Sequence, residues 1–253
     1  MATYDGVLLD QGGAALNVMS SAFGATGNGT TDDSGAIQSA INALPGSGGI
    51  VYLPPGTYRI DTYLSLAPGV RLIGAGAGTT VLRLNSASQI GILCSETSLT
   101  TGLIQIADLA IDANGVEDTA EAIFLENLTL VEILRCQFRN FLTDAPIVKF
   151  VNVEGGVIRE CVFFDVPATG VSLDPNELDP PSTSNSCRIY DSTFTMASGG
   201  SGVYIAPGTQ NTAMTSKVAL AITGRTGTSG CGAAALRQPC WSVTTSSFGM
   251  AHA

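Results

Sequence analysis

The chain has 253 residues, 45% of them hydrophobic, and a mean hydropathy of +0.30, which is ample apolar material for a core. A formal charge of -10 and a pI near 4.3 exclude a phosphate-coating role, because no cluster of Lys and Arg is present to displace counterions from nucleic acid. No apolar run reaches the ~18 to 20 residues of a membrane-spanning helix, and 30 glycines, 11 prolines and short β-branched runs point to an all-β chain with little helix.

Residues 1–22 contain LLDQGGAALNV, which has no sustained period and reads either as a lead-in strand or as an arm that docks on another protein. Met1 to Gly13 carries an early Asp5 and no basic start, unlike a secretory signal, so the chain is expected to stay in the cytosol or to leave it by lysis. Residues 23–48 form the next unit. Thr31, Asp32, Asp33 and Ser34 offer acceptors for the free amides of a helix start. Ala36, Ile37, Ala40, Ile41 and Leu44 then recur at helical spacing, which predicts a short helix over about 33–44 with one apolar face, stopped by Pro45 and Gly46. That face should cover the open end of whatever follows and block edge-to-edge addition.

Residues 49–210 read as short strands between turns. Ile50, Val51 and Leu53 run into the turn Pro54-Pro55-Gly56, and Thr57 to Ile60 and Val70 to Ile73 follow. A six-residue frame then repeats, beginning at Ile106, Ile133, Ile158 and Ile189, with steps of 27, 25 and 31 residues. A second frame lies ahead of it at Ile123-Phe-Leu125 and Val148-Lys-Phe150, with looser echoes at Val171 to Leu173 and Val203 to Ile205. This period suits a parallel β-helix whose rungs stack ~4.8 Å apart. Three inward columns follow: the four isoleucines; Leu109, Cys136, Cys161 and Ser192; and Ile111, Phe138, Phe163 and Phe194.

Six cysteines, at 94, 136, 161, 187, 231 and 240, show no metal-ligand spacing, and the one histidine is His252, so neither a metal site nor a cofactor is expected. An inward column favours packed thiols over a Cys136 to Cys161 bridge. Asp174 to Ser186, reading DPNELDPPSTSNS, should project as a surface loop that either sets specificity or is a tolerated excursion. No acidic residue follows Asp191. Residues 211–253 do not read as another rung, and a cap, an oligomerisation segment and partial disorder are all compatible with them.

The order FGATGNGTTDD, AIQSAINAL, GGIVYLPPGTY and LAPGVRLIGAG, over residues 23–76, resembles the amino-terminal signature of the pectate-lyase-like superfamily. The resemblance implies an all-β, right-handed, single-stranded parallel β-helix with a short N-terminal capping α-helix. Relatives with this entry sequence include bacteriophage tailspikes, many of them trimeric, and polysaccharide lyases, hydrolases and alginate epimerases. The His-Gly and Arg-x-Lys motifs of polygalacturonase-like members are absent. Where epimerase-like modules carry DPHE after a tyrosine, this chain has Asp174-Pro175-Asn176-Glu177, with Val171 near the tyrosine's place. An amide at Asn176 cannot shuttle a proton near pH 7.

Glycoside hydrolysis needs two carboxyl groups about 5 to 9.5 Å apart. On the repeating frame Asp108, Arg135, Glu160 and Asp191 share a column, either an outward charge ladder or, with Glu160 paired to Asp191 or to Asp174 and Glu177, a hydrolytic site. Tyr190, Tyr204 and Phe164 are the candidate sugar-binding aromatics. Three functions stay open: a virion spike or fibre that recognises a bacterial surface polysaccharide, a polysaccharide-cleaving enzyme, and a purely structural β-helix. The first implies a homotrimer, attachment to other virion proteins through the N-terminal arm, and neither nucleic-acid binding nor membrane insertion.

Overall fold

A computed structural model describes residues 3–4, 7–8, 14–85, 90–116, 121–174, 186–197, 200–206 and 219–222. Short strands coil into a right-handed parallel β-helix with three faces, a six-stranded, a seven-stranded and an eight-stranded sheet, each strand pairing with its counterpart one rung away. Every pairing between rungs is parallel, and the exception among the described strands is the antiparallel pair Thr3–Tyr4 with Val7–Leu8.

The columns expected from the repeat are present in register. Ile106, Ile133, Ile158 and Ile189 are paired one above another, and the column runs down through Leu72 and Val51 to Leu16. Leu109, Cys136, Cys161 and Ser192 are all fully buried. Phe138, Phe163 and Phe194 stack with ring centroids 4.5 Å apart and planes within 15°. Each rung thus closes three apolar strands around one axial core, and no single rung could bury its inward face without the next.

The stack begins before residue 49. Ala14–Asn17 pairs with Gly49–Leu53, and Asn28–Asp32 pairs with Gly56–Ile60, so the segment ahead of the helix already contributes to two faces. The helix itself spans Ser34–Asn42 and buries Ile37, Ala40 and Ile41. Gln38 clips it to the edge of the six-stranded sheet: its Oε1 accepts from Ser65 N at 2.8 Å and its Nε2 donates to Ser65 O at 3.0 Å. The edge strand therefore meets a side chain that mimics a neighbouring backbone.

The two aspartates divide the work differently from the sequence reading. Asp33 is the N-cap residue but makes no capping bond. Its buried carboxylate turns back instead, accepting from Thr26 N at 2.7 Å, Gly27 N at 3.0 Å and Thr26 Oγ1 at 3.1 Å, and so pins the FGATGNG turn. Gly27 has a φ of +60°, and a side chain there would press on the Tyr58 ring at 3.3 Å. Asp32 does serve the helix start, accepting from Ser34 N at 2.9 Å and from Ser34 Oγ. Burial pushes the Asp32 carboxyl up, but hydrogen bonds from Ser34 and Asp61 outweigh it and hold the group below its ordinary range.

Cys94, Cys136, Cys161 and Cys187 are free and buried, while Cys231 and Cys240 lie outside the described residues. Burial pushes the Cys94 thiol up to about 12 and the Cys187 thiol up to about 11, and it raises Cys136 well above its usual value. For these three thiols the neutral form is the one the fold favours. The stability it lends is complete below the unfolded thiol's pKa and is lost as pH rises towards 11 to 12. At pH 8 a native sample should keep these four thiols unalkylated through an incubation that fully modifies denatured protein, as read by peptide mass spectrometry.

Candidate functional site

The corner between the seven-stranded and eight-stranded sheets carries the charged column. Asp108, Arg135, Glu160 and Asp191 all have positive φ, at 57°, 51°, 56° and 52°. The chain turns sharply there, in the left-handed region, and the side chains of this corner reach the surface. Arg135 donates to both Asp108 oxygens, at 2.6 and 2.7 Å, which holds its guanidinium above its usual pKa. Glu160 lies 3.4 Å from Arg159 Nε, with a side chain 46% exposed, and Asp191 is exposed one rung above. The geometry is that of an outward ladder in which Arg135 separates Asp108 from Glu160, each oppositely charged pair worth roughly 0.2 to 1 kcal/mol.

The other candidate carboxylates do not join this corner. Asp174 ends the strand Thr169–Asp174 in the six-stranded sheet, whereas Glu160 lies in the turn between the other two sheets. Glu177 lies outside the described residues. The three aromatics are also spread over three faces. Tyr190 belongs to the seven-stranded sheet, with the Arg159 guanidinium 5.9 Å from its ring centroid. Phe164 belongs to the eight-stranded sheet and Tyr204 to the six-stranded one. No shared platform forms from them, because the chain turns two of the three corners of a rung between one aromatic and the next.

The outer surface of the six-stranded sheet brings aromatic rings, an ammonium group and carboxylates together in register. Alternation along each strand puts Ile123, Leu125, Val148, Phe150, Val171 and Leu173 into the core. The residues between them lie on the side of the sheet away from the core and stack by register into two columns, in which Ser172 and Val151 are themselves buried. The first runs Ser65, Leu93, Phe124, Lys149, Ser172, Tyr204. The second runs Ser95, Glu126, Val151, Asp174. Lys149 Nζ lies 5.7 Å from the Phe124 ring centroid and 3.7 Å from Asp174 Oδ2, and Ser172 Oγ donates to Asp174 Oδ1 at 2.8 Å. Ser95 Oγ donates to Glu126 Oε2 at 2.5 Å. Tyr204 is 49% exposed at the far end.

Of the residues singled out in the sequence, this face unites Asp174 with Tyr204. Phe124, Lys149 and Glu126 were missed. The signal for Phe124 and Lys149 was legible, since each sits between two inward residues of the second frame and must therefore face out, and Glu126 follows the frame by one residue. Among the described residues no group of three or more His, Cys, Asp or Glu is placed to hold a metal ion.

A family model described as rhamnogalacturonase A/epimerase, pectate lyase-like, matches residues 15–225. A mannuronan C5-epimerase of Azotobacter vinelandii, AlgE6, is 45% identical over 103 residues, which cover 36% of this chain and 12% of that protein. The chain thus matches only about an eighth of that relative's length. Among solved structures, ORF18 of Geobacillus virus E2 superposes with a TM-score of 0.63 at 22% identity, covering 78% of this chain and 40% of that one. PfbA, a surface adhesin of Streptococcus pneumoniae, gives a TM-score of 0.59 at 19% identity over 79% of this chain and 55% of its own. Both structural likenesses are likenesses of fold.

Proposed function

Because the chain belongs to the rhamnogalacturonase A/epimerase, pectate lyase-like family, we propose that it recognises a polysaccharide along the outer face of its six-stranded sheet. The observation that carries this reading is the column Phe124, Lys149, Ser172, Tyr204 beside Glu126 and Asp174. Two aromatic rings three rungs apart, ~14 Å, offer stacking surfaces for the C–H faces of sugars. Between them, carboxylates accept from hydroxyls and an ammonium group donates to them. A column of this kind suits an extended glycan lying along the axis of the β-helix.

Our reading sets this activity on a bacteriophage spike or fibre directed at a bacterial surface polysaccharide. A homotrimer is the expected assembly, with the part of the 1–22 segment that precedes the strand Ala14–Asn17 as the attachment to other virion proteins. The fold likeness to a protein of Geobacillus virus E2 supports that setting, and the likeness to a pneumococcal adhesin supports surface recognition more generally.

One observation favours a second reading, cleavage on the same face. Glu126 and Asp174 occupy one column two rungs apart, a backbone separation of ~9.6 Å, from which their side chains reach the ~6.5 to 9.5 Å between carboxyl groups used by inverting glycosidases with a small lean towards each other. Epimerisation or β-elimination of the kind named for the Azotobacter relative fits less well, because Asn176 supplies no titrating group. A glycan array combined with a reducing-end assay and a mass measurement in solution tests these proposals. Recognition predicts array binding, cleavage predicts release of new reducing ends as well, and the spike reading predicts a trimer. Absence of both binding and release would leave only a structural role, and a strict monomer would remove the spike.

A further inference from the structure

We infer that the cleft between the helix and the first rung is a second saccharide subsite, selective for an uncharged sugar, at the foot of the same face. The inference rests on the reading of the six-stranded sheet as a glycan surface and specifies the class of glycan that surface takes.

The cleft has a volume of about 610 Å³, within the range of small-molecule sites. Gln38 and Asn42 line it from the helix, Leu44 from the segment that follows, and Thr62, Tyr63 and Pro68 from the first rung. Its walls are fixed by Gln38, which bonds Ser65 on one side and donates to Asn42 Oδ1 at 2.9 Å on the other. That bond occupies the Asn42 oxygen and turns the Asn42 amide nitrogen into an available donor. Tyr63 is 46% exposed, a large ring held at the mouth. An aromatic wall beside amides and hydroxyls matches a pyranose ring, which has an apolar face and a polar rim.

The charge pattern selects among sugars. Among the described residues no Asp, Glu, Lys, Arg or His lines the cleft, in a chain of net charge -10. Along the two outward columns there is one cation, Lys149, already paired with Asp174, against the two carboxylates Glu126 and Asp174. A polyuronate threaded along this surface would meet no free cation on those columns and two like charges, an unfavourable arrangement at close range. An uncharged polysaccharide meets hydrogen-bonding partners without that repulsion. Register links the two places: Ser65, at the edge of the cleft, starts the column that leads through Phe124 to Tyr204, five rung steps or ~24 Å away. One extended glycan therefore spans both, stacking on Tyr63, Phe124 and Tyr204.

The test uses the full chain and an array of neutral oligosaccharides (hexose, deoxyhexose and N-acetylhexosamine types) beside uronate-containing and sulfated ones, with hits measured by calorimetry at low and high salt. Hits are expected among the neutral set, with affinity insensitive to salt. Tyr63→Ala should weaken them about tenfold or more, and Tyr63→Phe, which keeps the ring, should stay within about twofold; Tyr63 is exposed enough for both variants to fold, as a melting curve would verify. Neutral hits that survive Tyr63→Ala but fall with Tyr204→Ala would overturn the subsite and leave the glycan face standing. Hits confined to the acidic set would overturn the inferred class alone, and no hit on any glycan would remove the inference together with the reading beneath it.

Discussion

Replacing Phe163 with alanine is expected to destabilise the fold by roughly 4 to 8 kcal/mol, taking ~3 to 5 for the lost side chain and its cavity and ~0.5 to 1.5 for each of two stacked pairs. Phe163 is fully buried and sandwiched between Phe138 and Phe194, with centroids 4.5 Å away on either side. A typical domain has only ~5 to 15 kcal/mol to lose. A stack of rungs is also coupled mainly through nearest neighbours, so a hole at this level separates the rungs below from those above. The rungs beyond the hole would expose strand edges, and aggregation should accompany the loss. Urea unfolding followed by circular dichroism measures the change. Phe163→Leu should recover most of the stability, because it refills the cavity while giving up only the ring contacts. A Phe163→Ala variant within ~1 kcal/mol of the parent would mean that the phenylalanine column does not hold the rungs together.

The inward columns were legible from the sequence because parallel stacking turns a repeat along the chain into a neighbour relation in space. Ile133 and Ile158 pair directly since 25 residues complete one rung between them. The corners were harder to read. Asp108, Arg135, Glu160 and Asp191 were visible as a column, but a polar residue at a fixed place in each rung signals an active site and a left-handed turn equally well. Only the backbone distinguishes the two, and all four have φ between 51° and 57°. The same ambiguity scattered the aromatics. Tyr190, Phe164 and Tyr204 fall on three different sheets because the number of residues spent at each corner, not the spacing along the chain, decides which way a side chain faces. Lys149 was overlooked for a further reason: in isolation a lysine between two apolar residues is ordinary strand alternation, and its significance comes from Phe124 below and Asp174 beside it.

Two pairs of carboxylates now make opposite claims, and exchanging them for amides separates the claims. Glu126→Gln with Asp174→Asn should weaken glycan binding about tenfold or more, since charge-assisted hydrogen bonds of ~1.5 to 3 kcal/mol are replaced by neutral ones and each 1.4 kcal/mol is about a factor of ten. The amides also take away the partner of Lys149, which changes how that ammonium meets the ligand. Any release of reducing ends should cease in this double variant, because neither position then provides an acid or a base. Glu160→Gln with Asp191→Asn, at the corner between the other two sheets, should leave binding and release within about twofold, and should cost little stability because exposed pairs contribute roughly 0 to 1 kcal/mol. The reverse outcome, with activity lost at the corner and kept on the sheet, would move the site to the Glu160 ladder. Isothermal titration with the best array ligand, run beside the reducing-end assay on both double variants and on Tyr204→Ala, reads binding and cleavage separately. The exposed Tyr204 ring lies two rungs above Lys149 in the same column, so its removal should lower affinity while leaving intact whatever cleavage Glu126 and Asp174 perform on bound glycan.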